Sequence, residues 1–193
     1  MHAVPAAASA WVQRFTPLIE PGGSVLDVAC GSGRHLAWLQ QQGFRPTGVD
    51  REEAALLPWR SRVEVLVADL EGAPWPLPGR RFDGVVVTHY LWRPLWPWLR
   101  AALADGGVLI YETFAHGQQT IGKPSRPDFL LQPGELLQAF AGLRVVAFED
   151  GFEAARQGPG GLQPARFVQR LVAVNEGPAA AAAPRYGLAG ADS

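Results

Sequence analysis

The stretch SVLDVACGSGRHLAWLQQQGFRPTGVD, Ser24 to Asp50, constrains the fold of this chain more than any other. An apolar run ends in Asp27, a turn follows with Gly31 and Gly33, a helix-compatible segment starts near Arg34, and a second apolar run ends in Asp50. A strand, glycine turn, helix and strand in this order bring backbone amides to a ligand at the carboxyl edge of a parallel sheet. Downstream, apolar runs keep alternating with helix-compatible segments, which predicts an α/β architecture with helices on both faces of the sheet.

Strands are expected in SVLDVAC, RPTGVD, RVEVLVADL, RFDGVVVTHY and GGVLIYETF, and two more in LRVVAFED and ARFVQRLVAV. The last pair is joined by the Gly-rich GFEAARQGPGGLQP, which predicts an antiparallel finish to an otherwise parallel sheet. Helices are expected near Ala10 to Ile19 and in GRHLAWLQQQ, REEAALLPWR, LWRPLWPWLRAALA and GELLQAF, with an irregular first turn around Pro94 and Pro97. Residues 1–174 read as one domain, and 175–193, Ala/Gly/Pro-rich with little to bury, as a disordered tail.

The glycine turn narrows the ligand. A dinucleotide fingerprint would carry a third glycine where this chain has Leu36, so NAD and FAD are disfavoured. Asp27 points the same way, because a carboxylate beside the turn repels a pyrophosphate but accepts hydrogen bonds from an ammonium group. S-adenosylmethionine has that ammonium and no phosphate. Asp50, at the end of the second strand, is placed to accept from both ribose hydroxyls. Taken singly, either aspartate reads as well as a turn cap; taken with the glycines, the set reads as a binding site.

With VLDVACGSGRHLAWL followed by GVD, VADL and FDGVVVTHYL, the chain resembles the class I S-adenosylmethionine-dependent methyltransferases over roughly Trp11 to Val174. That resemblance implies a Rossmann-like sheet of seven strands, the last inserted antiparallel between the fifth and sixth. It also implies that Asp27 and the backbone from Ala29 through Gly31 to Gly33 hold the methionine end, Asp50 the ribose, and Asp69 with the Leu70 amide the adenine. Thr88 and His89 would present the end of the fourth strand to the cofactor. The segment YETFAHGQQTIGKPSRPDFLLQPGELLQAF, through Glu112, Thr113, Phe114, Pro127 to Leu131 and Pro133 to Leu136, resembles the small methyltransferases of the tellurite-resistance and thiopurine type. A small-molecule methyl acceptor is the implication.

THYLWRP, Thr88 to Pro94, lies where the methyl would point. His89 is the candidate base. Tyr90 and Trp92 are candidates for packing on the sulfonium or acceptor by cation–π attraction, or else for filling the seam between sheet and helix. The Asn/Asp-Pro-Pro-aromatic signature of amide and base-amine methylation is replaced by Thr88, His89, Tyr90 and Leu91. On the acceptor side, Trp92, Arg93, Glu112, His116 and Arg126 are the candidates, with the loop from Phe114 to Gln132 as second wall. Lys123, Arg126 and Asp128 would sit on that loop as a lid, or merely solvate it. Trp92, Trp96 and Trp98 read as core, with a dimer contact as alternative.

Composition bounds the rest. A net charge of −1 without a basic block disfavours nucleic acid as partner. No apolar run reaches the roughly 20 residues of a membrane span, and the alanine-containing start does not read as a cleaved leader. The single cysteine, Cys30, cannot form an internal disulfide, reads as a packing residue, and is compatible with the cytoplasm. No cluster has metal-ligand spacing. The expected protein is thus a methyltransferase, monomeric or homodimeric. The alternatives are a cofactor-binding regulatory module and, disfavoured by charge and size, a protein or nucleic-acid methyltransferase.

Overall fold

The computed structural model describes residues 7–158, 161–178 and 184–187. The helices are α1 (Ala10–Phe15), α2 (Arg34–Gln41), α3 (Glu53–Leu56), α4 (Trp96–Ala101) and α5 (Glu135–Ala139). The strands are β1 (Ser24–Val28), β2 (Arg45–Asp50), β3 (Glu64–Val67), β4 (Phe82–Thr88), β5 (Leu103–Phe114), β6 (Arg144–Glu153), β7 (Arg156–Gly158), β8 (Gly161–Gln163) and β9 (Arg166–Val174). Seven strands form one sheet ordered β3-β2-β1-β4-β5-β9-β6. Pairings β1·β2, β1·β4, β2·β3 and β4·β5 are parallel, whereas β9 runs antiparallel to both β5 and β6. The insertion of the last strand between the fifth and sixth matches the expectation.

Strand alternation explains why helices cover both faces. Val86 of β4, Val108 and Ile110 of β5, and Val172 and Val174 of β9 join one apolar cluster, with Trp11, Val12 and Phe15 of α1 and Leu39 of α2. Their neighbours Val85, Val87, Leu109, Tyr111, Leu171 and Ala173 point the other way, into a second cluster with Leu99 of α4 and Leu136 of α5. A period of two sends adjacent side chains to opposite faces, so a continuous apolar strand needs cover on both. Strand order reverses between β2-β1 and β4-β5, and in such sheets ligands bind in the crevice at the carboxyl ends.

Three local outcomes refine the sequence reading. The helix expected over REEAALLPWR is cut to α3 and a 3₁₀ turn at Leu57–Trp59, because Pro58 cannot supply a helix-interior N–H. Pro94 opens a 3₁₀ turn at Arg93–Leu95 before α4, as expected. The Gly-rich connection after β6 contains structure that was not expected: β6 runs on to Glu153, and β7 pairs antiparallel with β8. Neither short strand shows apolar alternation, so no pattern betrays the hairpin. Trp92 and Trp96 pack against the second cluster, while Trp98 is 46% exposed and stacks on Trp75.

In the segment read as a tail, the Asn175 side chain donates to the carbonyls of Leu103 and Ala104, and Tyr186 packs against the α1-side cluster. The remainder of that segment, 179–183 and 188–193, lies outside the described residues. Among the described residues no helix is long and apolar enough to cross a membrane, and no group of three or more His, Cys, Asp or Glu could hold a metal ion.

Candidate active site

The glycine turn leaves β1 through three left-handed residues, Ala29 at φ 53°, Gly31 at 54° and Gly33 at 81°. Its shape is held from the next strand. Cys30 N–H donates to Val49 O, and Gly31 N–H to Asp50 Oδ2 at 2.7 Å. The other oxygen of Asp50 accepts from Glu52 N–H at 2.9 Å. Each carboxylate oxygen keeps a lone pair for a further donor, so the residue assigned to the ribose also braces the turn. Cys30 is buried with Leu36, Leu56 and Trp59, and burial reinforced by Asp27 and Asp50 pushes its thiol far up, as a packing role requires.

Trp59 lies under the turn, its Nε1 donating to Ser32 O at 3.0 Å. A Cβ on Gly33 would fall 2.3 Å from that nitrogen, whereas one on Gly31 would meet nothing within 4 Å. Gly33→Ala is therefore expected to lose more than the roughly 1–2 kcal/mol of a left-handed non-glycine residue. Gly31→Ala should lose only that. Urea midpoints of the two variants check the order.

Asp27 is buried, and its Oδ2 has no hydrogen-bond partner. The nearest cationic candidate, His35 Nδ1, is 3.9 Å away. His35 is not a cation: its Nε2 accepts the backbone N–H of Ser9 at 3.2 Å, so the proton sits on Nδ1, and burial with Arg34 and His89 pushes its pKa down to about 3. Burial raises the Asp27 pKa to about 8, Arg34 opposing and Asp50 assisting. A buried carboxyl with an orphaned oxygen beside a glycine turn fits the ammonium of S-adenosylmethionine, which would supply both the charge and the donors.

Against Ala29 of the turn opens a cleft of about 310 Å³ lined also by Asp50, Asp69, Leu70, Tyr90 and Phe129 among others. This groups the residues expected to hold ribose and adenine. Asp69 also accepts from Glu71 N–H at 3.0 Å. Thr88 is buried behind the turn, its Oγ1 3.4 Å from Arg34 Nη2 and 3.5 Å from His35 Nδ1. A second cleft, about 450 Å³, contains His89, Glu112, Arg34, Phe114 and Arg166. A third, about 280 Å³, shares Tyr90, Glu71 and Phe129 with the first and His89 and Phe114 with the second, and so joins them.

The candidates for acid–base work sit in environments that oppose it. His89 has φ 54° and stacks on Phe114, with Arg34 Nη2 3.5 Å from Nδ1 and Arg166 Nη1 3.2 Å from Nε2. Desolvation in the cleft, then Arg34, lower its pKa to about 4, against the pull of Glu112. At neutral pH it is an uncharged ring and a weak base. Tyr90 packs against the core, its hydroxyl is buried without a partner, and burial pushes its pKa well above the usual phenol range. It remains a neutral wall of the first cleft.

The acceptor-side candidates divide. Glu112, buried, lines the second cleft and accepts from Ser9 Oγ at 3.0 Å and Arg170 Nε at 2.5 Å, with Arg166 Nη1 at 3.5 Å. The loop after β5 contributes Gln118, Ile121, Gly122 and Lys123 to the same cleft. The other four candidates stand elsewhere. Arg93 is a clamp, holding Glu135 through Nε at 2.6 Å and Nη2 at 2.9 Å and the carbonyls of Asp128 and Leu130. His116 is exposed and outside the three clefts, and Arg126 pairs with Asp128 at 3.0 Å on the surface. Trp92 fills the sheet–helix seam.

Sequence reasoning missed Arg34, Arg166, Arg170 and Ser9. A signal existed for two of them: Arg166 and Arg170 lie four apart on β9, hence on one face. In register, Arg170 meets Glu112 on β5 and Glu149 on β6, and Arg166 meets Glu153.

The first 143 residues match the model of a methyltransferase domain family. Among solved structures, TehB from Haemophilus influenzae superposes with a TM-score of 0.71 at 16% identity, over 90% of this chain and 64% of that one. This chain therefore spans a little under two thirds of TehB. An S-adenosylmethionine-dependent methyltransferase from Archaeoglobus fulgidus gives a TM-score of 0.61 at 17% identity, over 86% of this chain and 91% of that one. The glycopeptide N-methyltransferase MtfA, complexed with S-adenosylmethionine, gives 0.59 at 18%, over 90% and 97%. These identities speak for the fold alone. No curated protein sequence matches. With a family model covering most of its length and a sheet of this order, the chain belongs to the class I S-adenosylmethionine-dependent methyltransferases.

Proposed function

We propose that this protein methylates a small molecule bound in the second cleft. The observation that carries the reading is the joined series of clefts, nucleoside side to acceptor side, meeting at Tyr90 and His89. A space of about 450 Å³ suits a compact ligand rather than a macromolecular chain. When bound, S-adenosylmethionine supplies an electrophilic methyl group on a sulfonium.

The protein's part is placement. Asp27 would take the ammonium, Asp50 the ribose, and Asp69 with the Leu70 amide the adenine, so that one end of the reacting pair is anchored at the ends of β1 and β2 and in the turn just after β3. Alignment for in-line displacement is worth up to about 7–11 kcal/mol in favourable cases. A neutral His89 between two guanidiniums removes protons poorly, which favours acceptors that are nucleophilic without a strong base, such as thiolates and other soft anions. His89 then orients the acceptor by hydrogen bonding.

Incubating the protein with S-adenosylmethionine and a panel of thiols, phenols, carboxylates and chalcogen oxyanions, and measuring S-adenosylhomocysteine formation, tests this. Turnover of a small acceptor is expected, with His89→Ala lowering kcat or raising KM while cofactor affinity stays nearly unchanged. Cofactor binding without turnover of any small molecule would favour the regulatory-module reading. Turnover of protein or nucleic acid alone would also overturn it.

A further inference from the structure

Arg34 opens α2 beside the glycine turn, half-buried, and among the described residues no carboxylate lies within ion-pair distance of it. Its contacts are the Thr88 hydroxyl at 3.4 Å and His89 Nδ1 at 3.5 Å, both neutral. Across the imidazole, Arg166 Nη1 stands 3.2 Å from Nε2. Guanidinium groups only donate, and a neutral imidazole has one accepting nitrogen, so one of these two contacts sets a donor against a donor. Placing His89 there also requires left-handed backbone at φ 54° in a residue that is not glycine. Strain of that kind persists at sites where a ligand makes use of it.

The balance of charge around the cleft agrees. Arg34, Lys123, Arg156 and Arg166 line it against one carboxylate, Glu112, which is already held by Ser9, Arg166 and Arg170. Arg166 and Arg156 also pair with Glu153, at 2.6 and 3.6 Å, so the unmatched charge at the imidazole is that of Arg34. Between them the walls are apolar, through Phe114, Ile121 and Leu162, in a space of about 450 Å³ that a bare inorganic ion would leave mostly unfilled. We propose that the second cleft binds an organic anion, its carboxylate or comparable group between Arg34 and Arg166 and its apolar body against Phe114, Ile121 and Leu162. The inference rests on the reading of this cleft as the acceptor site and names its substrate class. One other source of the same chemistry is near, the α-carboxylate of the cofactor itself, which Arg34 alone could reach from the turn.

Calorimetry of phenylacetate and its neutral counterpart phenylacetamide, titrated into protein saturated with S-adenosylhomocysteine, separates these cases. The carboxylate should bind about tenfold tighter or more, the scale of one charged hydrogen bond. Arg34→Gln and Arg166→Gln should each collapse that preference, Arg34→Lys should restore part of it, and added salt should shrink it. The wild-type comparison stands even if a variant fails to fold. Equal binding of the two probes, or binding of neither by protein that holds S-adenosylhomocysteine, overturns the proposal. Phenylacetate bound only without S-adenosylhomocysteine would assign the seat to the cofactor and also overturn it, the more so if Arg34→Gln weakens S-adenosylhomocysteine but not methylthioadenosine, which lacks the amino-acid end. Turnover of neutral thiols without phenylacetate binding would sink the anion seat and leave the acceptor site standing. Phenylacetate preference without turnover of any small molecule would do the reverse.

Discussion

Asp27→Asn is expected to cut affinity for S-adenosylmethionine by roughly tenfold to a hundredfold, the worth of one charge-assisted hydrogen bond, while making the ligand-free protein less sensitive to alkaline pH. The carboxyl is buried with an unpartnered oxygen, and burial raises its pKa from 3.8 to about 8. In that interval the folded protein holds a proton that the unfolded chain has released. Its contribution to stability is complete below pH 3.8 and declines as pH rises through the window to about 8. Asparagine cannot ionise, so the difference in melting temperature, variant minus wild type, should grow from pH 5 to pH 8 and then level.

The same linkage acts on the ligand. An ammonium favours ionised Asp27, so wild-type cofactor affinity should rise with pH until about 8, with a proton released on binding at pH 7, and the variant should show neither. Titrations in buffers of different ionisation enthalpy measure that proton. A flat stability difference together with pH-independent binding would show that Asp27 is already ionised and partnered.

The second large effect is expected at Asp50. Asp50→Ala removes the acceptor of Gly31 N–H and of Glu52 N–H as well as the groups assigned to the ribose hydroxyls. Affinity should fall by more than the roughly 1.5–3 kcal/mol of the charged hydrogen bonds alone, because the turn loses its brace. Asp50→Asn keeps one accepting oxygen and should lie between. Affinity for S-adenosylhomocysteine unchanged in Asp50→Ala, or NADH bound by the wild type as strongly, would remove the ribose assignment.

The fold was legible because its signals are local. Val85 to Val87, Val108 to Tyr111 and Leu171 to Val174 are uninterrupted apolar runs, and a run that cannot show one polar side must be covered on both. The glycines of the turn and the aspartates near the ends of β1 and β2 carry their own meaning in a short stretch. The β7–β8 hairpin was not legible, since Arg156, Gln157, Leu162 and Gln163 show no period although they pair in register.

The acceptor side shows the same division. Arg93 looked like a substrate ligand because it lies within THYLWRP, yet it is used up on Glu135 and two carbonyls from distant parts of the chain. His89 looked like a base because an unperturbed histidine titrates near neutrality; desolvation in the cleft, then Arg34 and Arg166, 77 residues away, change what it can do. By itself the amino-acid sequence determined the sheet, the glycine turn and the class of cofactor, because hydrophobic period, backbone freedom and short-range spacing act within one element and its neighbour. Only the tertiary structure decided the charge of the second cleft and the protonation of Asp27 and His89, because burial and Coulomb interactions depend on separation in space, and the pairing of β9 with β5 sets Arg170 opposite Glu112, with Arg166 3.5 Å from the same carboxylate, across a length of chain that no sequence period spans.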